Sequence, residues 1–74
     1  MAVLLMATRG TPLPRLRMLR IGALMTQEQL AAKARMSRNT VARIENDGKP
    51  AELSTVRKLA DALGVTAAEL MRAD

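Results

Sequence analysis

The 74-residue sequence predicts an all-α fold, one small compact domain of five short helices with an apolar arm at its amino end. Three observations predict it. Apolar residues recur every three or four positions from Leu13 to Leu70, which is the period of a helix with one buried face. Thr26 with Gln29, and Thr66 with Glu69, have the spacing of a capping box, in which two side chains three residues apart satisfy orphan backbone amides. Ser37 and Gly64 supply a further helix start and a helix stop.

Residues 1–12 read as an arm or tail and residues 13–74 as the domain. The uncharged run at residues 2–6 falls far short of the roughly 18 to 20 residues that cross a bilayer. Too little chain follows it for a cleaved signal peptide. Five exposed apolar side chains would invite association, which favours an arm packed on a second subunit. Pro12 and Pro14 suit the first turn of helix 1; Leu13, Leu16 and Leu19 form its apolar stripe, and Gly22 ends it.

Helix 2 starts at Gln27 behind the Thr26 cap and buries Leu30, Ala31 and Ala34. The stretch from Ala31 to Asn46 is rich in the good helix formers alanine, lysine, arginine and methionine, yet Ser37 marks a new start worth about 1 kcal/mol. The chain is therefore expected to turn near Arg35. A third helix from Arg38 buries Val41 and Ile44 and presents Arg38, Asn39 and Arg43 on the opposite side. Asp47, Gly48, Lys49 and Pro50 form a loop. Val56, Leu59, Ala60 and Leu63 define helix 4, closed by Gly64 in a left-handed conformation, and a short helix 5 turns Leu70 inward with Met71 at its edge.

Composition narrows the function. With no Cys and no His, disulfides, thiolate or imidazole metal sites and most nucleophile–base pairs are excluded, so neither an enzyme nor a cofactor or small-molecule substrate is expected. The absence of Phe, Trp and Tyr removes the stacking platforms of single-strand and RNA readers. Duplex DNA is the favoured nucleic acid. Residues 1–44 carry eight Lys or Arg against one acid, Glu28, whereas residues 45–74 carry four against six. The basic, partner-facing surface is thus expected in the first half of the fold, although basic residues also serve simply to solvate helix faces.

Residues 27–46, "QEQLAAKARMSRNTVARIEN", resemble the helix-turn-helix of the Xre family, the lambda-repressor and Cro type of bacterial and phage regulator. "MTQEQLA", "SRNTVARIEN" and "VRKLADALGV" match that family's segments in order and spacing, over residues 13–72. Two positions depart from it. Arg35 stands where the family usually has a left-handed glycine, and the stretch at Asp47 and Gly48 is one residue longer than the common ending.

The resemblance implies a lambda-repressor-like domain whose helices 2 and 3 form the DNA reader, with a recognition helix at about residues 38–46 in the major groove. It implies base reading by Ser37, Arg38, Asn39, Thr40 and Arg43, since arginine pairs with guanine and asparagine with adenine. Gln27 resembles the family glutamine that meets a phosphate and braces the recognition helix. Asn46, Lys49, Arg15, Arg17, Lys33 and Arg35 are further phosphate candidates. Arg43 could instead pair with Asp47 one turn on, Asn39 could serve only the helix start, and Arg15 and Lys33 could be ordinary solvated surface. Arg20 and Glu45 are implied to face each other as a structural ion pair between helices 1 and 3.

A homodimer on a palindromic operator is expected, with either Val3, Leu4, Leu5 and Met6 or Val65, Leu70 and Met71 at its interface. A chain this short leaves no room for a ligand-sensing domain, which points to regulation by concentration, dimerisation, proteolysis or a partner protein. The expected setting is the cytoplasm of a bacterium, or a phage-encoded protein acting there, with no membrane association. Rival readings are a protein-interaction adaptor on the same fold and the DNA-binding antitoxin or controller of a two-gene system.

Overall fold

A computed structural model describes residues 10–73. Among the described residues five helices follow in order: α1 Leu16–Gly22, α2 Gln27–Lys33, α3 Arg38–Asp47, α4 Leu53–Leu63 and α5 Ala67–Met71. The expected all-α fold with its helix-turn-helix is thus present. Among the described residues, no helix is long and apolar enough to cross a membrane. Val3, Leu4, Leu5 and Met6, the apolar part of the arm, lie outside the described residues.

One core unites the helices. Leu16, Leu30, Val41, Val56, Leu59 and Leu70 are its largest fully enclosed side chains, at least one from each helix. Leu13, Ala31, Ala34, Ile44, Ala51, Ala60 and Ala62 complete it. Leu19 and Leu63, expected inside, are only partly buried at its edge. The small residues let helices approach: α2 packs chiefly on α3, where Ala31 and Ala34 share the core with Val41 and Ile44.

The amino end departs from expectation. Pro12 and Pro14 precede helix α1 rather than opening it, because Thr11 is drawn into an antiparallel bridge with Ala51, with both N–H···O bonds at 2.8 Å. Gly10 lies so close to Pro50 that a Cβ would sit 2.6 Å from the proline Cβ. Residues 10–12 are therefore tied to the loop after α3, and the folded unit begins before residue 13. At the far end, Thr66 caps α5 by accepting from the Glu69 amide at 3.1 Å, but the box does not close. The Glu69 carboxylate turns instead to Arg15 at 3.3 Å and Arg72 at 3.5 Å.

Three of the turns share one construction. Helix α1 ends with the Leu24 amide donating to Ile21 and the Met25 amide to Arg20; α2 ends with Arg35 donating to Ala32 and Met36 to Ala31; α4 ends with Gly64 donating to Asp61 and Val65 to Ala60. These paired bonds define the Schellman motif, which needs a left-handed residue at the first donor. Leu24, Arg35 and Gly64 have φ of 60°, 58° and 70°. The next residue, Met25, Met36 or Val65, packs against the core, and the one after it, Thr26, Ser37 or Thr66, caps the following helix. Each turn is therefore a left-handed residue, an apolar anchor and a hydroxyl cap.

Gly22 is not the terminator of α1. It is the last helical residue, and the left-handed position falls two residues later, on Leu24. A side chain there or at Arg35 costs on the order of 1 kcal/mol, which the methionine anchors and the caps offset. Neither strained side chain contributes to the core, since Leu24 is 90% exposed and Arg35 is exposed. Arg35→Gly and Leu24→Gly are each expected to stabilise the fold, by about 0.5 to 1 kcal/mol after the added freedom of glycine in the unfolded chain; urea unfolding of the purified variants measures it.

Candidate nucleic-acid interface

The capping box of α2 forms in full: Thr26 Oγ1 accepts from the Gln29 amide at 3.0 Å, and Gln29 Oε1 accepts from the Thr26 amide at 2.9 Å. This fixes where Gln27 leaves the backbone. At the start of α3, Ser37 Oγ accepts from the Thr40 amide at 3.3 Å and lies 3.0 Å from Thr40 Oγ1. Ser37 and Thr40 thus hold each other, and their hydroxyls are already engaged.

With Val41 and Ile44 buried, Arg38, Asn39 and Arg43 are exposed on α3. None makes an ion pair or a side-chain hydrogen bond. The alternative of an Arg43–Asp47 ion pair is not realised. A groove beside α3 is lined by Ser37, Asn39, Thr40 and Arg43 of that helix and its cap, together with Lys49, Pro50, Glu52 and Thr55. Asn46 and Lys49 are exposed near the end of α3, beside Gly48, which closes the helix in a left-handed conformation (φ 66°).

Beneath this face lies a charged network. Arg20 Nε donates to Glu45 Oε2 at 2.7 Å and Arg20 Nη2 donates to Glu45 Oε1 at 3.0 Å, a bidentate pair joining α1 to α3. Arg20 Nη1 donates to the Met25 carbonyl at 2.7 Å, tying the turn after α1 to the same guanidinium. Gln27 Nε2 donates to Glu45 Oε1 at 3.1 Å. The Glu45 side chain is fully enclosed and that of Arg20 only 11% exposed. The hydrogen bond to Glu45 raises the Arg20 pKa further above its ordinary value, against an opposing desolvation, so the guanidinium stays charged. Gln27 braces the recognition helix through Glu45, and one N–H of its amide remains unused by that bond.

Other expected site residues are placed differently. Arg15 belongs to the structural set: it precedes α1, pairs with Glu69 on α5, and its Nε is buried without a partner. Arg17 is exposed on α1. Lys33 and Arg35 line a second groove with Lys58 and Asp61, distinct from the one beside α3. Leu70 is fully enclosed and therefore cannot form a dimer surface; its enclosure follows from its place among the core leucines. Val65 is partly buried, and Met71 is 38% exposed. Glu52 and Thr55 escaped sequence reading, because only the fold brings the start of α4 beside α3.

The sequence model of the helix-turn-helix family matches residues 16–70. The chain belongs to that family. Among solved structures, it is similar to the crystal structure of NHTF, a hypothetical transcription factor from Neisseria, with 33% identity and a TM-score of 0.72. The likeness covers 77% of this chain and 64% of that one, so the chain spans less than two thirds of the neighbour's length. No curated protein matches the sequence. In helix-turn-helix terms, α2 is the bracing helix and α3 the recognition helix.

Glu45 is then the acid on which the reader's orientation rests. Glu45→Ala leaves the enclosed Arg20 uncompensated and is expected to destabilise the fold by about 3 to 5 kcal/mol, read as a lowered unfolding midpoint in urea.

Proposed function

We propose that this chain is a sequence-specific, double-stranded DNA-binding regulator of transcription, a repressor that binds a palindromic operator as a homodimer. One observation carries this reading: Arg38, Asn39 and Arg43 stand exposed and unpartnered on a helix whose position is fixed by a cap and by an enclosed ion pair. Side chains that serve no internal bond on so firmly held a helix are free to recognise base edges. The family membership and the similarity to a hypothetical transcription factor support it.

Inserted in the major groove, α3 directs Arg38 and Arg43 at guanine O6 and N7 and Asn39 at adenine N6 and N7, each bidentate pair discriminating by about 1 to 3 kcal/mol. The remaining amide N–H of Gln27 donates to a phosphate at the start of α2, where unpaired backbone amides favour an anion. Asn46, Lys49 and Arg17 contact other phosphates, which position the protein without specifying sequence. No catalytic group takes part. The protein acts in the cytoplasm, where its operator is.

A two-fold homodimer places two such helices about 34 Å apart on one face of the duplex and multiplies the discrimination of each. Val65, Met71 and the apolar arm, Val3, Leu4, Leu5 and Met6, are the surfaces proposed for it. A second reading, as an interaction adaptor, draws on Met18, Ile21 and Leu24, three exposed apolar side chains along α1 and its closing turn.

Selection from a random duplex library is expected to yield two inverted half-sites one helical turn apart. Affinity for the selected site is expected to fall with salt at a logarithmic slope of about −0.9 per neutralised phosphate. Arg38→Ala should remove the base preference at one position of each half-site and cost about 1 to 3 kcal/mol. Absent or salt-insensitive duplex binding by the folded parent would overturn the proposal.

A further inference from the structure

Glu52 stands in an unexpected place. It is the residue before α4, exposed, with no side-chain bond to the helix it precedes and no ion pair with any neighbour. It nonetheless shares a groove with Asn39, Arg43 and Lys49. A carboxylate with no structural bond therefore sits on the face that the proposed function turns towards DNA.

What Glu52 meets there follows from dimensions. An α-helix with its side chains is about 10 to 12 Å across, and the major groove is about 12 Å wide, so α3 alone fills it. A residue on the adjoining element lies outside the groove, against the phosphates of its rim. The first amides of α4 have no intrahelical acceptor, and the positive end of that helix would otherwise draw a phosphate. Glu52 places its own negative charge at that end.

We infer that Glu52 is an affinity-limiting residue: its carboxylate opposes the phosphate backbone beside the recognition helix and weakens binding to every duplex, whatever its sequence. This rests on the DNA-binding reading above. Its consequence concerns specificity. A chain with formal net charge +5 gains sequence-independent affinity from that charge, and Glu52 reduces that share beside the recognition helix. Base contacts by Arg38, Asn39 and Arg43 then make up more of the total.

The test compares the parent chain with Glu52→Gln, Glu52→Ala and Glu52→Asp on the selected operator and on a random duplex, from about 50 to 200 mM salt. Both neutral variants are expected to bind both duplexes about fivefold more tightly at the lowest salt, the size of one near-contact charge pair in water, with the gain shrinking as salt screens it. Glu52→Asp, which keeps the charge, should match the parent, and thermal unfolding should show all four chains folded. Unchanged affinity in the neutral variants at low salt overturns the inference while leaving the DNA-binding reading intact. So does weaker operator binding with a lost preference for cytosine, which would make Glu52 a base reader. A folded parent that binds no duplex overturns the DNA-binding reading and the role of Glu52 with it.

Discussion

Glu45 projects from the recognition helix into a space closed by the helix before the turn and the helix before that, where its carboxylate takes hydrogen bonds from Arg20 and Gln27. Much of the rest hangs on this one acid. Arg20 also donates from the same guanidinium to the Met25 carbonyl in the turn after α1, so three elements are joined by one planar, five-donor group. A lysine would supply the charge without the fork. Two ions removed from water in this way add little net stability. They tie α3 directly to α1 and, through Gln27, to α2, and α3 carries Arg38, Asn39 and Arg43.

The core joins the same helices without direction. From α2 and α3 it takes Leu30, Ala31, Ala34, Val41 and Ile44, whose apolar contacts are non-directional. In a chain of 74 residues without aromatic rings, no large flat side chain is present to wedge the helices apart at one register. Directional bonds supply what shape does not. The same holds at the other end of the domain, where Arg15 links the start of α1 to Glu69 on α5.

Most of the fold was legible because its signals are local. Apolar spacing located the five helices, and Thr26, Ser37 and Thr66 named the starts of three of them, since a cap is a matter of three or four consecutive residues. The ends were read less well. At α1 a glycine was at hand in Gly22, but the Schellman bonds place the left-handed residue at Leu24, and "LMT", "RMS" and "GVT" show that the apolar anchor and hydroxyl cap set the turn more firmly than the residue in its strained position. The Thr11–Ala51 bridge joins residues 40 apart, so no local signal announces it, and the proline pair misled. Leu70 was both an inward leucine and a surface candidate in the sequence; enclosure by the other helices decides between the two.

The candidate site divides along the same line. Residues on α3 were visible in the sequence, because burial of Val41 and Ile44 dictates which neighbours face out. Residues brought to α3 by the path of the chain were not: Glu52 and Thr55 arrive from just before α4 and from its first turn, while Lys33 and Arg35, which shortly precede α3 in sequence, line a separate groove with Lys58. A count of positive charge by sequence segment therefore misjudges the field at the interface in both directions. Lys33 and Arg35 count towards the basic half yet line a different groove, and Glu52 counts towards the acidic half yet lines the groove beside α3. The charge around α3 is thus set both by residues on the helix itself, which the sequence shows, and by residues that only the folded chain brings beside it.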